Sequence, residues 1–144
     1  MTGDDVIRQL EEELQTLFRA SRAATRDLAR EVHPRLDRTT YPMLTLLTNG
    51  ARRSSDIAQM LALDKSTVTR QIDAAARLGL VRRVPDPSDA RARLVVLEPI
   101  AEETIARQRS ERRERLRVAL DTWDAAELAD FVRLLRKLHS TDLR

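Results

Sequence analysis

The stretch from residue 54 to residue 97 constrains the fold more than any other part of the chain, because helix, turn and strand signals follow one another closely there. Either serine of the pair at 54–55 can cap a short helix. The turn over residues 62–64 ends in an aspartate that can cap a second helix, over residues 65–78, and the glycine after it can stop that helix. Two helices joined by so tight a turn are expected to pack against each other through their apolar sides.

The second of these helices has an apolar side and a polar side. At about 100° per residue, Val68, Ile72 and Ala75 share one side and are expected to be buried. The other side, which we call the polar face, carries Ser66, Thr67, Arg70, Asp73 and Arg77, with Thr69 at its boundary. Hydroxyl and guanidinium groups can contact base edges and phosphates, and arginine pairs bidentately with guanine. Such residues are also common on solvent-exposed helices, so this helix alone leaves both interpretations open.

β-Branched runs on both sides of residues 85–91 predict a β-hairpin, which we call the wing. We expect its loop to be too long for a tight turn and therefore to project from the domain. Arg91 and Arg93 place positive charge at or near the tip. Asp89 is expected to brace the loop through Arg91, by an ion pair or a hydrogen bond, and this role competes with direct contact of Arg91 with DNA. Two helices followed by such a hairpin predict a winged helix-turn-helix, which reads the major groove of DNA.

The first part of the chain is predicted to be one long helix. Apolar residues recur at spacings of three and four from Ile7 to Leu28, Asp4 or Asp5 can cap the start, and His33-Pro34 ends the pattern. The apolar stripe can be buried within the chain or can form a dimer interface, and the two interpretations are about equally favoured. A short second helix is predicted from Pro42 in its first turn to a stop at residues 49–50.

Two more helices are predicted after the wing. The first runs from Glu98 to about Leu120, and its charged middle can pair within the helix at Glu103–Arg107 and Glu111–Arg115, which favours a solvated helix over a second DNA site. The last helix has Asp124 as its N-cap and Glu127 at the third position. Trp123 is predicted to pack on Leu128, next to an apolar stripe of Leu128, Phe131, Leu135 and Leu138.

Composition and the placement of charge favour some classes of function and exclude others. Nine of the 26 Lys and Arg residues lie at 51–97 with five of the 23 acidic residues, so the positive excess falls on the helix-turn-helix and wing. The chain has no cysteine, no signal-peptide pattern and no apolar run long enough to span a membrane, which predicts a cytoplasmic protein. His33 and His139 show no metal-ligand or nucleophile spacing, so we expect no enzyme, no cofactor and no metal. A winged helix that binds protein or merely dimerises is the other alternative.

These motifs together resemble the MarR family of winged-helix transcription regulators, over about residues 10–138. The matching segments are Ser55–Ala58, Lys65–Arg70, Gly79–Arg83, Asp86–Arg91 and the closing segment after Trp123. The chain departs from the family pattern at residues 97–101, where a Leu-Thr pair followed by a glycine is usual. The resemblance implies a mainly α fold of about six helices with a small β-hairpin wing, and dimerisation through helices from both termini.

The resemblance also implies a separate function for each of three parts of the chain. Residues 1–34 would form a dimerisation helix, residues 35–97 the winged-helix DNA-binding part, and residues 98–144 the linking and C-terminal dimerisation helices. A homodimer would bind a pseudo-palindromic operator on double-stranded DNA as a repressor, released by an unidentified small ligand that sits between the dimerisation and DNA-binding parts. The predicted DNA-binding residues are Lys65, Ser66, Thr67, Thr69, Arg70, Arg77, Arg91 and Arg93, and Asp86 and Asp89 are predicted to structure the wing.

Overall fold

The computed structural model describes residues 2–141. Over this range the chain forms six α-helices and a three-stranded antiparallel sheet, so the expected mainly α fold with a hairpin wing is confirmed. In chain order the elements are α1 (Gly3–Val32), α2 (Tyr41–Leu47), β1 (Arg52–Arg53), α3 (Ser54–Leu61), α4 (Lys65–Arg77), β2 (Val81–Asp86), β3 (Asp89–Leu97), α5 (Pro99–Ala119) and α6 (Ala125–His139).

Two helix starts differ from the predictions. At α1 the N-cap is Thr2, whose hydroxyl accepts a hydrogen bond from the Asp5 backbone N–H at 3.2 Å while the Asp5 carboxylate accepts from the Thr2 backbone N–H at 2.9 Å. Asp5 therefore completes a capping box and is not itself the cap. At α3 the N-cap is Arg53 and no side chain caps the helix, so neither serine has that role, because strand β1 leads directly into the helix.

The apolar core lies where α2, α3 and α4 pack together over the sheet and the end of α1. Val68, Ile72 and Ala75 are fully buried on α4, which confirms its predicted orientation. Burying one such aliphatic side chain is worth about 1.5–3 kcal/mol. The turns on either side of α4 use left-handed backbone, with φ of +53° at Ala62 and +72° at Gly79, and the glycine adopts this conformation without steric cost. The core therefore holds α4 with its polar face outward.

A polar cluster ties α5 to this core. The side chain of Gln108 is buried, and its Oε1 accepts a hydrogen bond from the Tyr41 hydroxyl at 2.9 Å. Its amide nitrogen donates to the backbone oxygen of Leu28 and to the carboxylate of Glu31, both at 3.0 Å. Both polar atoms of Gln108 are thus satisfied, and the cluster joins α1, α2 and α5.

The sheet corrects the predicted geometry of the wing. The strand order is β1-β3-β2, and the short strand β1 was not predicted. Asp86 pairs with Asp89, so the wing closes through only two residues, and the prediction of a long projecting loop is wrong. The register shifts between Pro85 and Asp86, which is the signature of a β-bulge in which the extra residues lie in β3. The two strands of the wing therefore pair regularly as far as Pro85 and Arg93, and the Asp86–Asp89 pair closes the tip beyond the bulge.

The chain divides into two compact units, Met1–Gln108 and Arg109–Arg144. In the second unit the Asp124 carboxylate accepts from the Glu127 backbone N–H at 2.8 Å, and the reciprocal bond is 2.9 Å, so the predicted capping box of α6 is confirmed. The Trp123 ring meets Phe131 edge-on, with ring centroids 5.7 Å apart. Within residues 2–141, no helix combines the length and the hydropathy needed to cross a membrane. The three functional parts inferred from sequence stay a prediction.

Candidate nucleic-acid interface

The first turn of α4 is organised around Asp64. Its carboxylate accepts hydrogen bonds from the Thr67 backbone N–H at 3.0 Å, from the Thr67 hydroxyl at 2.6 Å, and from the Ser66 hydroxyl. These donors, the Ser66 hydroxyl first, hold the pKa of Asp64 well below its ordinary value. Asp64 is the predicted N-cap of this helix, and it is an ionised group on the exposed surface.

The rest of the polar face lies open to solvent. Five of the six predicted contact residues on α4 are exposed, and Thr67 is half-buried. The exposed residues are Lys65, Ser66, Thr69, Arg70 and Arg77. The Thr69 hydroxyl donates to the Lys65 backbone oxygen at 2.9 Å, within its own helix. The Arg70 guanidinium reaches the Thr67 hydroxyl at 3.4 Å. Arg70 and Arg77 have no carboxylate partner among residues 2–141, so both are available to an anionic or acceptor-rich ligand.

The wing is braced by an arginine that the sequence analysis missed. Arg53 of β1 donates from Nε and Nη2 to the buried Asp86 carboxylate at 2.7 and 2.6 Å, a charge-assisted contact from two nitrogens. Ser88 closes the turn by donating its backbone N–H and hydroxyl to Asp86 at 2.9 and 2.7 Å. These groups, the Ser88 backbone first, lower the pKa of Asp86, and Asp86 raises the pKa of Arg53.

Asp89 and the two wing arginines have separate roles in this geometry. The Asp89 carboxylate accepts from the Arg91 backbone N–H at 3.0 Å, so the contact between these residues is a hydrogen bond to the backbone and not an ion pair. Asp89 also lies 4.0 Å from the Arg53 guanidinium. The Arg91 side chain is exposed, and Arg93 reaches the Arg83 backbone oxygen at 3.4 Å.

A second missed contact connects the wing to α4. Arg83 of β2 donates to the Asp73 carboxylate of α4 at 2.6 Å, and both side chains are partly exposed. This ion pair spans the boundary between the polar face and the wing. A pair so exposed adds little stability, about 0–1 kcal/mol, but it restricts the direction in which the wing leaves the helix.

A further arginine lies near the end of α4. Arg35, in the segment between α1 and α2, lines a shallow depression together with Ala74, Arg77 and Leu78. Two guanidinium groups thus border this depression. Arg35 lies outside every motif of the helix-turn-helix, so no local pattern indicated it.

The substitution Asp86→Asn tests the wing brace through its pH dependence. Because the folded pKa of Asp86 is lowered, the stabilisation is fully present above the unfolded value, about 3.9, and is lost as the pH falls through the folded pKa. We expect the variant to lose unfolding free energy less steeply than the wild type between about pH 5 and pH 2, in urea titrations followed by circular dichroism. Asp27→Asn, which removes an exposed carboxylate of α1 away from the brace, is the control. Equal slopes for Asp86→Asn and wild type would contradict the brace.

The fold and the exposed face together define a class, the winged helix-turn-helix DNA-binding proteins. Residues 36–92 match the sequence model of the MarR family. The chain is 29% identical to the HTH-type transcriptional regulator YxaD of Bacillus subtilis over 140 residues, which is 96% of each protein. The winged helix-turn-helix of the chain therefore matches the MarR family of transcription regulators, and the chain as a whole is similar to one HTH-type transcriptional regulator.

Solved structures show the same fold over nearly the whole chain. The MarR family transcription regulator SP03579 superposes with a TM-score of 0.81 at 19% identity, covering 94% of this chain and 89% of that one. The transcriptional regulator BldR of Sulfolobus solfataricus gives a TM-score of 0.70 at 21% identity, covering 97% and 99%. At these identities the likeness concerns the fold.

Proposed function

We propose that the chain is a sequence-specific repressor that binds a pseudo-palindromic operator as a homodimer and is released by a small ligand. The observation that carries the proposal is the exposed polar face of α4, held outward by its buried apolar side, beside a wing braced by Arg53 and Asp86. This arrangement suits insertion of α4 into the major groove while the wing lies along the adjacent backbone. Repression and its relief by a ligand rest on the family resemblance.

The proposed contacts divide by chemistry. Arg70 and Arg77 carry planar donors on the polar face that match the O6 and N7 atoms of guanine. Lys65, Arg91 and Arg93 supply positive charge at the start of α4 and on the wing, where phosphates would lie. Ser66, Thr67 and Thr69 bring hydroxyl groups toward the base edges, while Asp86 and Asp89 shape the wing without contacting DNA.

The proposed dimer rests on apolar surface that each compact unit leaves uncovered. In α1 the side chains of Val6, Ile7, Leu10, Leu17 and Phe18 are 44–57% exposed. In the second unit no residue of α6 is buried, and its large exposed apolar side chains are Phe131, Val132 and Leu134. Soluble monomers rarely expose contiguous apolar surface of this kind. A second copy of the chain, packed through the same helices, would cover it.

Binding-site selection from a random duplex pool tests the proposed function. The wild type is expected to enrich an inverted repeat whose half-sites lie about one helical turn apart. Arg70→Ala should lose discrimination at one position of each half-site, by about 1–3 kcal/mol, because a bidentate contact to guanine is removed. Arg30→Ala, an exposed arginine of α1, is the matched control and should enrich the wild-type sequence. The same consensus and affinity for Arg70→Ala would show that Arg70 makes no base contact.

A further inference from the structure

We infer that the polar face of α4 is divided by hydrogen-bond polarity. In its first turn the side chains of Asp64, Ser66 and Thr67 present acceptors and select a base with an amino group on the contacted strand, adenine or cytosine. The arginines further along, Arg70 and Arg77, present donors and select guanine. This inference rests on the proposed function, because it takes α4 to be the helix that enters the major groove.

The hydroxyl groups of Ser66 and Thr67 both donate their protons to the Asp64 carboxylate. Each hydroxyl has a single proton to donate, and an ionised carboxylate can only accept. Because Ser66 and Thr67 both bond to the Asp64 carboxylate, each must donate its proton to it. What remains on both oxygens is lone pairs, and Thr67 uses one of these to accept from Arg70. The side-chain oxygens of Asp64, Ser66 and Thr67 are therefore acceptors.

These acceptor oxygens fit base edges that offer a hydrogen-bond donor and do not fit edges that offer only acceptors. In the major groove adenine offers its N6 amino group and cytosine its N4 amino group, whereas guanine and thymine offer only acceptors at the equivalent places. A keto oxygen placed against Ser66 and Thr67 would leave acceptor facing acceptor. A phosphate oxygen placed against the two hydroxyls is disfavoured for the same reason, and the negative charge of Asp64 repels it further. Ser66 and Thr67 therefore distinguish amino from keto bases, while Lys65 of the same turn is left for phosphate contact.

The distance between Ser66 and Arg70 along α4 predicts how far apart the two contacted bases lie in each half-site. Ser66 and Arg70 lie four residues apart, which is about 6 Å along the helix. Successive bases on one strand are about 3.4 Å apart, so this distance corresponds to roughly two base steps. We therefore expect an amino-bearing base and a guanine about two steps apart in each half-site.

The first test removes single amino groups from the duplex that the wild type selects. Purine replaces adenine and 2-pyrimidinone replaces cytosine, one position at a time, and affinity is measured by fluorescence anisotropy. We expect one position of each half-site to lose about 5- to 150-fold in affinity with the wild type. This penalty should disappear in Ser66→Ala and persist in Arg30→Ala, which removes an exposed arginine of α1 outside the proposed DNA interface. Absence of a penalty at every position would overturn the inference.

The second test changes the polarity of the turn while keeping its cap. Asparagine caps helices as well as aspartate does, so Asp64→Asn is expected to fold. Its amide can donate as well as accept, which frees the Ser66 and Thr67 hydroxyls to donate. Binding-site selection with this variant should shift the preferred base from amino to keto at the position found above, by about tenfold in relative affinity. An unchanged amino base would overturn the inference, while failure of the wild type to enrich any sequence would overturn the proposed function with it.

Discussion

A variant in which Leu10 and Leu17 are both replaced by glutamate is expected to sediment as a monomer and to lose at least about 100-fold in operator affinity. A dimer that binds two linked half-sites gains about 10²- to 10⁴-fold in affinity, because its second subunit binds at a high effective concentration. A monomer lacks this gain. The two leucines are 44% and 55% exposed in the single chain, so charged replacements should leave each monomer folded. Analytical ultracentrifugation and circular dichroism would measure assembly and helicity on the same sample.

The control for this variant places a glutamate on the other side of α1. Gln15 lies away from the apolar stripe at helical spacing, so Gln15→Glu should dimerise and bind the operator as the wild type does. A dimer that survives both leucine replacements would contradict the proposed interface. A folded monomer that keeps full operator affinity would contradict the two-half-site mode of binding.

Ile72→Ala is expected to cost about 2–5 kcal/mol of unfolding free energy, the largest stability effect that we predict. Ile72 is fully buried on the apolar side of α4, so truncation leaves a cavity between α4 and its neighbours. Urea unfolding followed by circular dichroism would measure the change. The result bears on function because the same packing holds the polar face outward.

The control for the core variant lies one turn of helix away. Thr69→Ala removes an exposed hydroxyl that bonds only to its own helix, so its unfolding free energy should stay within about 0.5 kcal/mol of the wild type. A loss below about 1 kcal/mol for Ile72→Ala would show that α4 is not anchored as described.

Local signals account for the features that the sequence predicted well. The orientation of α4 follows from the periodicity of Val68, Ile72 and Ala75, and its ends follow from Asp64 and Gly79. The capping box of α6 follows in the same way from residues three positions apart. In each case the contacts that decide the structure lie within one or two helical turns, so they are visible in the order of residues.

The features that were missed depend on contacts between distant residues. Arg53 and Asp86 are separated by 33 positions, and strand β1 has only two residues, too few for an alternating pattern. Tyr41 and Gln108 are separated by 67 positions. The tight wing depends on a β-bulge, whose register is set by pairing between strands and not by the turn residues alone.

The central claim, that α4 and the wing bind specific duplex DNA, is tested most directly by one comparison. The affinity of the wild-type protein is measured by fluorescence anisotropy at about 0.15 M salt, first for the selected duplex and then for a shuffled duplex of the same composition. The selected duplex is expected to bind at least about 10³-fold more tightly than the shuffled duplex. Equal affinity for the two duplexes would contradict the central claim.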